Sequence, residues 1–93
     1  MHITIHSSAD LGQVIRTVRR HSKVRLDDLA ATAGVSKQFT SDVEHGKPTV
    51  QLGRVLKLLS ELGVSLELDI PEEAAHALAT LRAEGPSGAK KRG

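Results

Sequence analysis

Between Leu11 and Leu26 the chain carries Arg16, Arg19, Arg20, Lys23 and Arg25 with no acidic residue among them. Guanidinium and ammonium groups at that density can neutralise phosphates, so a nucleic acid is one partner the block suits. The same charges also read as a solvated helix face, and charge alone leaves both readings open. The chain as a whole is nearly balanced, with 13 basic and 11 acidic residues and a net charge of +2, so the signal lies in the distribution. A single aromatic residue, Phe39, leaves no stacking platform for single-stranded nucleic acid.

Enzyme chemistry finds no support in the residue spacing. The histidines (His2, His6, His21, His45 and His76) fall on different expected elements, and no His-Glu-x-x-His pair occurs. His2 and His6 share one face of an alternating segment, a pattern that reads as polar surface. No Gly-rich phosphate loop, Ser-His-Asp arrangement or pair of catalytic carboxylates stands out. The absence of cysteine excludes disulfides, thiolate metal sites and cysteine nucleophiles. No enzyme activity, metal or cofactor is therefore expected.

The joint Leu29-Ala30-Ala31-Thr32-Ala33-Gly34-Val35-Ser36-Lys37-Gln38 holds a denser pattern. Small Ala30 lets one helix approach the next closely. Gly34 allows a tight left-handed turn, Val35 plugs the angle between helices, and the Ser36 hydroxyl can cap the helix that follows. Small, glycine and apolar residues at these offsets hold two helices near a right angle, as a helix-turn-helix requires.

The elements around this joint follow from periodicity. Ser7, Ser8 and Asp10 offer caps for a first helix, with Leu11, Val14, Ile15 and Val18 at helical spacing and an end near His21. A second helix runs from about Leu26 to Ala33 and a third from about Lys37 to His45, stopped by Gly46. Thr49 is the expected cap of a fourth, whose stripe is Leu52, Val55, Leu56, Leu59 and Leu62 before Gly63. Residues 1–6 and Val64 to Ile70 switch to a period of two and read as strands. Pro71 closes the second of these, and alanine-rich Glu72 to Glu84 suits a short helix. From Gly85 the chain has nothing to bury and is expected to be disordered.

The 93 residues fit one domain with a small core that oligomerisation would help. No apolar run approaches the roughly 20 residues of a membrane span, and the N-terminus lacks the layout of a signal peptide. A cytoplasmic protein with no membrane partner is expected.

The stretch Leu11 to Val64 resembles the Cro/repressor-type, or XRE-type, helix-turn-helix family. Val35-Ser36-Lys37-Gln38-Phe39, Val43-Glu44-His45-Gly46-Lys47-Pro48-Thr49 and Leu59-Ser60-Glu61-Leu62-Gly63-Val64 resemble its HipB-type antitoxin branch. The resemblance implies a mainly α, lambda-repressor-like bundle of four to five helices, with short flanking β-strands that form a dimer sheet. In this reading residues 1–8 are a strand arm, 9–70 the helix-turn-helix unit with its dimerising strand, and 71–93 a short helix and basic tail. Pairing of strand Ser65–Ile70 with its symmetry mate, joined by Ile3–Ile5, is favoured over pairing with residues 2–6 of the same chain.

The resemblance also implies a site. It places the start of the third helix in a major groove, with Ser36, Lys37, Gln38 and Ser41 toward DNA. Lys37 can donate to guanine O6 or N7, and Gln38 can bond adenine N6 and N7 in bidentate fashion. Ser36 and Ser41 can reach a phosphate or a base edge, and His45 and Lys47 are phosphate-clamp candidates. Asp42 must accept from cytosine N4 or face away, the second being favoured. Glu44 is expected to pair with Arg19 in a structural role.

Two departures stand out. Arg25-Leu26 occupy the place of the family's usual Thr-Gln, so Arg25 can meet a phosphate but the cap is lost. Thr40 replaces an aliphatic core residue, and Phe39 takes over that packing or lies against the DNA backbone, the core being favoured.

Such proteins bind an inverted-repeat double-stranded operator as homodimers and pair with a HipA-like kinase toxin. A stand-alone repressor without a toxin is the alternative, and an interaction module that no longer binds DNA is a third reading. The tail residues Lys90, Lys91 and Arg92 are candidates for docking on a toxin, touching DNA, or no role.

Overall fold

Among the described residues five helices follow one another: α1 (Ser8–His21), α2 (Leu26–Ala33), α3 (Lys37–Glu44), α4 (Leu52–Glu61) and α5 (Glu72–Ala83). The computed structural model describes residues 1–84, so the expectation for the tail from Gly85 lies outside the described residues.

Local chemistry sets most of the boundaries. The Ser7 hydroxyl accepts from the Asp10 amide at 3.1 Å and caps α1, while Asp10 sits in the first turn and Arg19, Arg20 and His21 in the last, as the helix dipole favours. Gly34, at φ 71°, takes the left-handed turn that separates α2 from α3. The same turn after α1 falls on Lys23, at φ 59°, a backbone conformation that L side chains rarely adopt. Helix α4 begins later than the sequence suggests: its cap is Gln51, without a side-chain bond, instead of Thr49. Val50 packs against the core ahead of it, which keeps the chain out of the helix for two further residues.

The core lies where α1, α2, α3 and α4 converge, with α1 on α3 and α2 on both α3 and α4. Ile15, Leu29, Ala33, Val43, Val55, Leu58 and Leu59 fill it, ringed by Leu11, Val24, Val35, Phe39, Val50, Leu62 and Val64. Burying side chains of this size contributes roughly 1.5–3 kcal/mol each. The α1–α3 contact is unusually close. A Cβ at Gly12 would overlap the Val43 carbonyl oxygen and stand 2.7 Å from that of Glu44, so only glycine lets the two backbones meet there. Phe39 is half-buried against the core, on the side that the sequence favoured.

The expected flanking strands and the dimer sheet built from them are corrected by the structure. Among the described residues there is no strand, and 1–6 and 64–70 are neither helical nor paired in a ladder. A period of two states which side chains share a face, but it does not supply the second edge that a ladder needs. Within one chain these segments meet through His2 Nε2 and Glu67 Oε2, 3.2 Å apart and largely exposed. That leaves Ile3, Leu66, Leu68 and Ile70 open to solvent. Helix α5 likewise buries none of its residues.

Candidate nucleic-acid interface

The joint between α2 and α3 aims the start of α3 outward. The Ser36 hydroxyl accepts from the Phe39 amide at 2.9 Å, and the Ser36 carbonyl accepts from both the Thr40 amide and the Thr40 hydroxyl, at 3.1 and 3.0 Å. Thr40 is fully buried, and that hydroxyl bond satisfies its one polar group, so threonine is accommodated where an aliphatic residue was expected. With Thr40, Val43 and Glu44 turned inward, Lys37, Gln38 and His45 stand exposed on the remaining face and Ser41 half-exposed between them. The first turn of α3 holds no acidic residue, so the positive end of its dipole is not cancelled.

Behind this face lies a buried ion pair. Arg19 of α1 donates from Nε to Glu44 Oε2 at 2.6 Å and from Nη2 to Glu44 Oε1 at 3.0 Å, while Nη1 donates to the Val24 carbonyl at 3.0 Å. The hydrogen bond to Glu44 holds the Arg19 guanidinium above the usual arginine range; burial opposes this, and the charge of Glu44 adds to it. The fork fixes α3 against α1 and, through Val24, against the turn that leads into α2. The Ser8 hydroxyl adds a second tie, donating to the Gly46 carbonyl at 3.0 Å just past the end of α3.

The sequence candidates do not all gather at one place. Ser36, Lys37, Gln38, Ser41 and His45 share α3 and its caps. His45 Nδ1 lies 2.7 Å from the Ser41 carbonyl, which can only accept, so that nitrogen carries the proton and Nε2 is left for an outside partner. Lys47 joins the group through Asp42, its Nζ 3.7 Å from Asp42 Oδ2. Arg25 sits apart at the start of α2, where it offers no side-chain cap and lies 3.4 Å from Asp27 Oδ2. Asp27 and Asp28 both occupy that first turn and disfavour a phosphate beside it.

Sequence reasoning missed the place of Asp42. It accepts from Gln38 Nε2 at 2.8 Å and faces Lys47, so it ties together two candidate contacts. The spacing of Gln38 and Asp42, four apart on one helix, was the available signal.

The profile described as a helix-turn-helix domain matches residues 10–69, which takes in α1 to α4 and the segment after them. The chain belongs to the helix-turn-helix domain family. It is 45% identical over 69 residues to the uncharacterized HTH-type transcriptional regulator y4mF of Sinorhizobium fredii, covering 74% of this chain and 91% of that protein. Among solved structures, a chain of the HipA-HipB-O2-O3 complex superposes with a TM-score of 0.70 at 22% identity, covering 76% of this chain and all of that one. A HipB-O4 20mer complex gives a TM-score of 0.69 at 22% identity with the same coverage. This helix-turn-helix protein is thus a DNA-binding transcriptional regulator of the XRE type with a HipB-like fold. Within it α2 and α3 are the two helices of the motif, and the outward face of α3 is the element that carries Ser36, Lys37 and Gln38. Among the described residues no helix is long and apolar enough to cross a membrane, and no three potential metal ligands converge.

Proposed function

We propose that the protein is a repressor that grips an inverted-repeat operator as a homodimer, with α3 in the major groove, and serves as the antitoxin of a HipA-like kinase. The observation that carries the DNA contact is Lys37: exposed, on the first turn of a capped helix free of acids, and without a hydrogen bond or ion pair among the described residues. An ammonium placed there is available to guanine O6 or N7, and Gln38 beside it to adenine. Ser36, Ser41, His45 and Lys47 are assigned to phosphates or base edges around that contact, and Arg25 to a phosphate that it reaches by giving up its weak, exposed pair with Asp27. Arg19 and Glu44 keep α3 at its angle and touch no DNA.

One α3 spans only a few base pairs, so a two-fold dimer supplies the rest of the affinity. Exposed Leu52, Leu56, Leu66 and Leu68 are side chains that a second copy would cover. In this reading 9–70 is the DNA-binding unit, 1–8 an arm, 71–93 an appendage, and the protein works in the cytoplasm at the nucleoid. The antitoxin role is supported by the fold shared with the full length of a chain from the HipA-HipB-O2-O3 complex. The y4mF relative, named only as a transcriptional regulator, favours a second reading: a stand-alone regulator with no toxin.

Capture of the tagged protein from its own cells, followed by a gel shift of its promoter with whatever co-purifies, separates the two. A stoichiometric kinase that tightens a salt-sensitive promoter complex is the expected result. Promoter binding with no partner leaves the stand-alone regulator, and neither partner nor binding refutes both.

A further inference from the structure

Asp42 is half-buried on α3 and held from two sides. Its Oδ1 accepts from Gln38 Nε2 at 2.8 Å, its Oδ2 lies 3.7 Å from Lys47 Nζ, and its backbone carbonyl accepts from the Lys47 amide at 3.0 Å. A carboxylate has no proton to donate, so it can pair only with the NH₂ end of the Gln38 amide. The two ends of that amide, otherwise interchangeable, are thereby distinguished. One N–H is consumed, and the other N–H and the carbonyl oxygen are left to face outward.

We propose that Asp42 is a positioning residue for base selection, which locks the polarity of Gln38 so that it accepts adenine and refuses guanine. The inference rests on the DNA reading above and deepens it. Adenine presents a donor at N6 and an acceptor at N7, which match the free oxygen and the one free N–H of Gln38. Guanine presents acceptors at both O6 and N7. An unrestrained glutamine meets these by turning both N–H groups toward them, but with Asp42 holding one, the amide oxygen is set against O6 instead. The Asp42 charge repels the same two acceptors. A flipped Gln38 would also put its oxygen against the Asp42 carboxylate, an arrangement that costs most once the groove has excluded water. Lys37 carries no such restraint among the described residues, so guanine is read next door by a different side chain.

Selection from a pool of randomised duplexes, using the full chain, tests this. Wild type is expected to enrich adenine at one position of each half-site, and Gln38→Ala to abolish the preference there and nowhere else. At that position Asp42→Asn, whose amide can accept from or donate to Gln38, and Asp42→Ala are both expected to admit guanine. The adenine-to-guanine ratio falls about ten-fold in either, within the range one bidentate contact supplies. Affinity for random duplex rises in both, because a negative charge is removed and Lys47 released. Circular dichroism matching wild type separates lost selection from lost folding.

An unchanged ratio in folded Asp42→Ala, or a Gln38-dependent position that prefers any base but adenine, overturns the inference and leaves the DNA reading standing. Failure of wild type to enrich any sequence overturns the DNA reading and this inference with it.

Discussion

Removing Arg19 strands a carboxylate that has nowhere to go. The Glu44 side chain is 3% exposed and receives two of the three Arg19 hydrogen bonds, whereas the Arg19 side chain is 13% exposed and keeps the Val24 carbonyl as a partner. The two single substitutions are therefore unequal. Arg19→Ala leaves an unpaired charge inside the α1–α3 contact and is expected to cost about 4 kcal/mol, in the range found for breaking buried pairs. Glu44→Ala leaves a guanidinium whose edge reaches water, at a cost of about 2–3 kcal/mol. Against a total stability of about 5–15 kcal/mol for proteins in general, and near the low end for so small a core, Arg19→Ala comes close to unfolding the domain.

Urea titrations followed by circular dichroism at a helix band read this directly. With a slope of about 1 kcal/mol per molar urea, the Arg19→Ala midpoint drops by about 4 M, or no folded baseline remains. Replacing both residues by apolar ones of similar volume recovers most of the loss, since no charge is then stranded. The pH dependence has a definite sign. Arg19 has a folded pKa raised above the ordinary arginine value, so its contribution is fully present below that ordinary value and is lost only as pH rises through the raised one. Titration of Arg19 thus adds no slope to stability across the neutral range. A cost below about 1 kcal/mol for Arg19→Ala, or a larger cost for Glu44→Ala, refutes the claim that this pair fixes α3.

Three further outcomes are expected. Ser36→Ala removes the cap of α3, lowers stability by about 1 kcal/mol in the same titration, and weakens DNA binding as the first turn frays. Gly12→Ala forces α1 away from the carbonyls of Val43 and Glu44; it destabilises by about 3 kcal/mol and disturbs the amide NMR signals of α3. Lys23→Gly relieves the left-handed backbone after α1 and raises stability by about 0.5–1 kcal/mol, while DNA affinity changes by no more than one exposed positive charge explains.

The helices were legible because their signals are local. Of the expected stripe Leu11, Val14, Ile15 and Val18, Ile15 enters the core and Leu11 packs against it, and glycine at 34 makes the turn of the motif. Phase was harder in α4, where leucines are so frequent that the stripe is wide. Leu52 and Leu56 belonged to the expected face yet stand exposed, while Leu58, outside it, is fully buried. Alternation at 1–6 and 64–70 misled for another reason: a ladder needs two edges, and the periodicity of one segment does not say whether another edge lies beside it. At the site, residue types and family resemblance pointed to Ser36, Lys37 and Gln38. The clamp of Asp42 on Gln38 and Lys47 depends on rotamers that spacing permits but does not dictate, and the retreat of Arg25 toward Asp27 depends on acids whose effect is felt only in the folded turn.

Binding of the full chain to its own promoter duplex, wild type against Lys37→Glu and measured by fluorescence anisotropy across a range of salt, tests the central claim most directly. A wild-type complex whose affinity falls steeply with salt is expected, with a loss of at least about ten-fold on charge reversal at Lys37 and the fold intact. Equal affinity of the two proteins for the promoter would contradict it, because the outward face of α3 would then not be what meets the DNA.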